Sequence, residues 1–155
     1  MKFSDFMVRD AFRISLAQRD RDGVLRELVT ALAAAGAVPK TAVNDIVEAL
    51  IKREKNGSTG FGKGVAVPHV KHPKVKKMVG TVGCSAEGID FAALDHQPVH
   101  IVVLLLSPDN QPQQHLQAMN VIFTSLQNDM FRKFMRQAKT EKDIMELLDE
   151  ADSGR

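Results

Sequence analysis

A chain of 155 residues, 44% of them hydrophobic, holds enough apolar material for one compact domain with a true core and is short for two, so residues 1–155 read as a single domain. No apolar run approaches the roughly 20 residues that cross a bilayer, and the polar start Met-Lys-Phe-Ser-Asp is no signal peptide, which excludes membrane insertion and points to a cytoplasmic protein. The lone Cys84 excludes an internal disulfide and a cysteine-rich metal site, and a formal charge of +2 with no Trp or Tyr to stack on bases argues against nucleic acid as a partner.

Residues 12–16 alternate apolar and polar and predict a first strand. A helix follows from Asp20, with Val24, Leu25, Leu28, Val29 and Leu32 at helical spacing and Gly36 where a C-terminal cap belongs. A second helix starts near Pro39. Val43, Ile46, Val47, Leu50 and Ile51 form its buried stripe, and Arg53 stands in its last turn, where a guanidinium complements the helix's negative end and can reach the segment that follows.

That segment, Arg53-Glu-Lys-Asn-Gly-Ser-Thr-Gly-Phe-Gly-Lys-Gly-Val-Ala-Val-Pro-His69, is the most informative in the chain. Gly57, Gly60, Gly62 and Gly64 permit a shaped loop with exposed amides, and Ser58 and Thr59 add two hydroxyls. Residues 65–67 predict a short strand. Pro68 restricts its own backbone and that of Val67, so His69 is expected just past a strand end, in a held position. The loop lacks the Gly-Lys-Ser/Thr ending of a nucleotide-binding phosphate loop. Its surroundings are basic, with eight Lys or Arg against one Glu over residues 52–77, whereas residues 139–152 carry six acids against two lysines. A basic setting suits phosphate or another anion; solvated loop lysines are the competing reading for Lys71, Lys74, Lys76 and Lys77.

Residues 78–85 and 99–106 are the strongest strand candidates. The second is apolar nearly throughout, which predicts a central strand covered on both faces. Ile89-Asp-Phe reads as a short edge piece between them, and Cys84 as a small buried strand residue. Ser107 to Pro112 break the strand and lead into a helix with Leu116, Met119, Ile122, Phe123 and Leu126 on its apolar face. Two further amphipathic stretches run through Met130, Phe131, Phe134 and Met135 and through Ile144, Leu147 and Leu148, and residues 153–155 read as a loose tail. This order predicts an α/β fold, a three-layer α/β/α arrangement with a mixed central sheet, and puts the glycine loop at strand ends, where such sheets place their sites.

Five histidines are candidates for chemistry. On context alone, a histidine after a strand is more often structural than reactive, and His115, near the first turn of the helix after Pro112, is more often a capping or solvent-facing residue. His72, His96 and His100 read as background. The spacing of His69 and His72 has no further ligand beside it to suggest zinc.

The run REKNGSTGFGKGVAVPH, with the spacing from it to Gln-Gln-His115-Leu, resembles the active-site region of enzyme IIA domains of the mannitol/fructose class in the bacterial phosphoenolpyruvate:sugar phosphotransferase system, most closely the stand-alone nitrogen-regulatory members. The resemblance extends over about the whole chain. One position departs from the pattern: Val70 stands where the family usually has a small residue, mostly glycine. The resemblance implies a mannitol-type IIA fold and a phosphotransferase in which His69 accepts a phosphoryl group from an HPr-like phosphocarrier protein. It makes His115 the partner that donates a hydrogen bond to the phosphoryl oxygens, with Arg53 at the rim and Ser58, Thr59 and Gly60 binding phosphate. The onward step is either a nitrogen-branch regulatory signal or transfer to the cysteine of a IIB domain for sugar uptake; a non-phosphorylated regulatory binding module is the remaining alternative. No metal or other cofactor is called for.

Overall fold

The protein is described from a computed structural model covering residues 1–154; Arg155, at the end of the expected tail, lies outside the described residues. Helices α1 (Arg21–Ala34) and α2 (Val43–Lys55) come first. Five strands follow: β1 (Gly60–Gly62), β2 (Val65–Ala66), β3 (His69–His72), β4 (Val79–Ile89) and β5 (Val99–Pro108). Helices α3 (Pro112–Leu126), α4 (Asp129–Gln137) and α5 (Glu141–Asp152) close the chain.

The long apolar run of β5 is the spine. On one side it pairs antiparallel with β4, from Val79 opposite Leu106 to Ile89 opposite Val99. On the other it pairs parallel with β2, Val65 opposite Ile101, and then with β3, His69 opposite Leu105. The pairing offset is the same for both, so β2 and β3 are one strand interrupted at Val67 and Pro68. Pro68 has no N–H to give, yet its carbonyl still accepts from the Leu105 amide at 3.0 Å. The proline thus punctuates the strand without ending the ladder, and His69 opens β3 instead of lying beyond a strand end as the sequence suggests.

Successive residues of β5 serve opposite cores. Val102, Leu104 and Leu106 pack with Leu25 and Leu28 of α1 and Ile46 and Leu50 of α2. Ile101, Val103 and Leu105 pack with Met119 and Ile122 of α3, Met135 of α4 and Ile144 of α5. Burying each such side chain contributes roughly 1.5–3 kcal/mol relative to leaving it in water, which makes this strand the tie between the two helical layers. The result is the expected mixed sheet between two layers of helices.

Helix ends follow their residues. Asp20 caps α1 by accepting from the Gly23 amide at 2.6 Å. Beyond its last turn Gly36 adopts φ 79°, with Gly36 N bonded to Ala33 O at 3.0 Å and Ala37 N to Leu32 O at 2.9 Å, the two bonds of a Schellman ending. Residues 12–16, by contrast, form no strand. The N-terminal chain meets β4 through isolated parallel bridges, Met7 with Gly80 and, within this segment, Arg13 with Gly83. A 3₁₀ turn at Arg9–Ala11 separates them. Its apolar residues are still buried, but Phe12 and Leu16 enter opposite cores, which one face of a regular strand could not do, and the winding chain covers the outer edge of β4.

Thr81 of β4 is fully buried and its hydroxyl has no partner among the described residues. Thr81→Val removes that unpaired group at nearly constant shape, so it is expected to stabilise the fold by about 1 kcal/mol. The measurement is a higher urea midpoint at unchanged m-value; a lower midpoint would mean that the hydroxyl is satisfied after all.

Candidate active site

The loop after α2 is closed by a carboxylate that no motif singles out. Glu54, 4% exposed, accepts from the Thr59 amide at 3.1 Å and from the Thr59 hydroxyl. It continues the phase of Ile46 and Leu50, and an acid at a core position of a helix is the signal that flags it. Ser58 Oγ donates to the Phe91 carbonyl at 2.9 Å and accepts from the Gly60 amide at 3.0 Å. Arg53 Nη1 donates to the Gly57 carbonyl at 2.8 Å. A Cβ on Gly60 would lie 3.0 Å from the Ala93 Cβ, so only glycine lets the loop rest on that neighbour.

These bonds depart from the open cradle expected from the sequence. The hydroxyls of Ser58 and Thr59 and the amides of Thr59 and Gly60 are bonded within the protein. The physical cause is burial: Thr59 is 7% exposed, and a hydroxyl so placed must find a protein partner. Part of the glycine run is also strand. The β1–β2 hairpin turns at Lys63 and Gly64, whose φ values of 60° and 77° match the type I′ turn that two-residue hairpins prefer. The Thr59 carbonyl then accepts from the Val67 amide at 3.1 Å, tying loop and histidine segment together.

His69 Nδ1 lies 2.7 Å from the Val67 carbonyl. A carbonyl can only accept, so Nδ1 carries the ring hydrogen and Nε2 keeps the lone pair. Alternation along β3 puts His69 and Lys71 on the α3 side and turns Val70 to the opposite face, where it packs against the core under α1 and α2. The bulk of Val70 is therefore directed away from the His69 ring.

His115 is the fourth residue of α3, and its ring centroid lies 5.5 Å from that of His69 at an interplanar angle of 45°. Helix α3 begins with Pro112 and has no side chain accepting from its first amides, so the positive end of its dipole is open beside the rings. His115 is 8% exposed, and its Nδ1 lies 2.7 Å from Ser107 Oγ. Ser107 is a second residue without a motif; it extends the Ile101, Val103, Leu105 phase into a buried position, which is how the sequence betrays it. Glu54 and Ser107 are the two site residues that motif reasoning misses.

Both rings are held neutral at pH 7. Burial lowers the pKa of His115 to about 4, with the charges of His69 and Lys71 acting in the same direction. Burial also lowers that of His69; the bond to Val67 opposes this and Arg53 adds to it. The linkage sign follows. Between pH 6.5 and 4 the unfolded chain binds the His115 proton and the folded one does not, so stability falls as pH is lowered through that window. The expected loss is about 2 kcal/mol, less than the full shift because the ring edge still meets solvent. An NMR titration checks it: His115 protonating near 6.5 would remove the effect.

Two of the other histidines make structural bonds through their rings. His72 Nδ1 accepts from the Lys74 amide at 3.0 Å and His100 Nδ1 donates to the Ser85 carbonyl at 2.9 Å. Lys74 pairs with Asp45, which leaves Lys71 as the lysine of its group that acts on both rings. Cys84 is 7% exposed and burial pushes its thiol up to about 11, an unreactive setting. Among the described residues no three His, Cys, Asp or Glu side chains gather as metal ligands, and no helix is long and apolar enough to cross a membrane.

Comparison with known proteins bears on this geometry. A family profile described as "Phosphoenolpyruvate-dependent sugar phosphotransferase system, EIIA 2" matches residues 6–151. The chain is 34% identical over 150 residues to a nitrogen regulatory protein of Bradyrhizobium diazoefficiens, covering 96% of this chain and 95% of that one. It is 30% identical over 155 residues to the PTS system fructose-specific EIIABC component of Bacillus subtilis, covering 98% of this chain but only 24% of that larger protein. The crystal structure of nitrogen regulatory protein IIA-Ntr from Neisseria meningitidis matches with a TM-score of 0.83 at 25% identity, covering 92% of this chain and 96% of that one.

Proposed function

The chain belongs to the EIIA 2 family of the phosphoenolpyruvate-dependent sugar phosphotransferase system, and from that premise we propose that His69 carries a phosphoryl group between two partner proteins. The observation that supports this most is the bond from His69 Nδ1 to the Val67 carbonyl, which leaves Nε2 as a free lone pair on a neutral ring. No general base is needed to activate such a nucleophile.

The Nε2 lone pair attacks the phosphorus of a phosphohistidine on an HPr-like carrier. A new N–P bond forms as the carrier's N–P bond breaks, and the carrier ring takes back the electron pair; no proton has to move. Negative charge spreads over three equatorial oxygens in the transition state, so positioned donors supply most of the catalysis. On this reading the donors are the ring N–H of His115 and the guanidinium of Arg53, which spends one of its five N–H groups on Gly57. The charge of Lys71 and the open start of α3 add to them. Ser58, Thr59 and Gly60, whose polar groups are engaged within the loop, serve the phosphoryl group by holding that loop in shape.

Reversibility limits the grip. Each ~1.4 kcal/mol of excess hold on phosphohistidine would slow onward transfer about tenfold, so a half-buried nucleophile among few full charges suits a carrier better than a deep cationic pocket. For the end use, the nitrogen-branch regulatory role is supported by the Asn56-Gly-Ser-Thr-Gly60 sequence and by the likeness to the nitrogen regulatory protein. Transfer to a IIB cysteine, as in a sugar-specific system, is the alternative that the fructose-specific relative favours.

The test is incubation with phosphoenolpyruvate, enzyme I and the carrier. One acid-labile phosphate per chain, mapped to His69 and absent when the carrier is omitted, is the expected result. Offering a IIB domain to the labelled protein then separates the two end uses. Absence of label from the complete mixture would refute the proposal.

A further inference from the structure

We propose that Ser107 is a positioning residue: its buried hydroxyl donates to His115 Nδ1 and so holds that imidazole as the tautomer with its hydrogen on Nε2. This deepens, and rests on, the reading of His69 as the phosphoryl acceptor, because the consequence is a hydrogen-bond donor beside a lone-pair donor.

Ser107 sits where a long apolar strand turns polar on one face only. It follows Ile101, Val103 and Leu105 in phase and is paired in register with Lys71 of β3. It is 1% exposed. Its Oγ lies 2.7 Å from His115 Nδ1, and among the described residues this is the hydroxyl's one side-chain hydrogen bond.

Two arrangements fit that contact. If Nδ1–H donated to Oγ, the hydroxyl hydrogen would be buried without an acceptor, and Nε2 would present a lone pair that repels phosphoryl oxygens. If the hydroxyl donates to Nδ1, its hydrogen is satisfied and Nε2 carries the ring hydrogen, available to an anion. A buried donor left unpaired is unfavourable enough to bias the two tautomers roughly tenfold or more. Because His115 is neutral at pH 7, it has a single ring hydrogen to place, and its location decides between donor and acceptor. His69 is fixed in the complementary sense by Val67, with the hydrogen on Nδ1 and the lone pair on Nε2. With ring centroids 5.5 Å apart, one imidazole offers the electron pair and its neighbour the hydrogen.

Two readouts test this. Long-range ¹H,¹⁵N correlation at pH 7 reports the tautomer directly, with no phosphate present, and transfer from phosphorylated carrier reports the consequence. The parent should show His115 with Nδ1 unprotonated and Nε2 protonated. Ser107→Ala should yield a mixed or reversed tautomer and transfer slowed about tenfold, with the backbone spectrum otherwise preserved. Ser107→Thr, which restores a hydroxyl, should recover both. A parent spectrum with the hydrogen on His115 Nδ1 would overturn the proposal, as would an unchanged tautomer in Ser107→Ala whatever its rate. Should the parent accept no phosphoryl group at all, the phosphocarrier reading is lost, while the tautomers of parent and Ser107→Ala still decide for or against Ser107.

Discussion

Replacing His69 with alanine is expected to abolish phosphoryl acceptance, a fall of at least about 10⁴-fold in labelling rate, as is usual when a covalent nucleophile is removed. No other group can substitute. The Cys84 thiol is buried and pushed up to about 11, and the His72 Nδ1 lone pair is taken by the Lys74 amide. His100 donates from Nδ1 as His69 does, but it stands near the start of β5, away from Leu105, which pairs with His69, and from the His115 ring. His115 is buried against Ser107 and, on the tautomer argued above, has no lone pair free. The variant should fold normally, because what it loses is a part-buried ring and one bond to a carbonyl, worth about 1 kcal/mol. Acid-labile label retained at the parent rate, in a variant with an unchanged unfolding midpoint, would place the acceptor elsewhere.

His115→Ala should slow transfer by about 10²–10³-fold, the effect of deleting one preorganised donor from a site where charge develops. If the donor acts on the transition state, loading from the carrier and return to it slow alike, and the equilibrium between carrier and protein barely moves. If His115 instead grips the phosphorylated state, the equilibrium shifts and return speeds up. Single-turnover kinetics in both directions separate the two. A modest loss of stability, about 1–2 kcal/mol, accompanies the substitution because the Ser107 hydroxyl is left without an acceptor. His115→Gln, which keeps an N–H, should fall between alanine and parent; a rate for His115→Ala equal to the parent's would end the partner role.

Val70 shows how a departure from a family pattern can be silent. A valine beside the proposed acceptor histidine looks obstructive in one dimension, yet strand alternation sends it to the opposite face. The glycine loop shows the reverse. Its composition suggests free amides, but Glu54 and Ser58 engage the donors of Thr59 and Gly60, because a glycine-rich segment that can approach a ligand can equally fold onto itself.

By itself the sequence determined the features that repeat or that restrict the backbone. Helical spacing marked α1 to α5, the unbroken apolar run marked β5 as a strand covered on both sides, and Gly36 and Pro68 announced the ends of α1 and β2. The linear order could not assign faces. A strand that is apolar throughout has no polar phase to say which residues meet which helical layer, and strands as short as β1 and β2 carry too few residues for a period to show. Residues 12–16 have the alternation of a strand but form a single isolated bridge, Arg13 with Gly83, since the chain beside β4 is interrupted by 3₁₀ geometry. Only the tertiary structure decided that His69, Ser107 and His115 share one face of the sheet. That outcome depends on parallel register between segments more than thirty residues apart, and register is a property of packed strands that no local stretch of sequence contains.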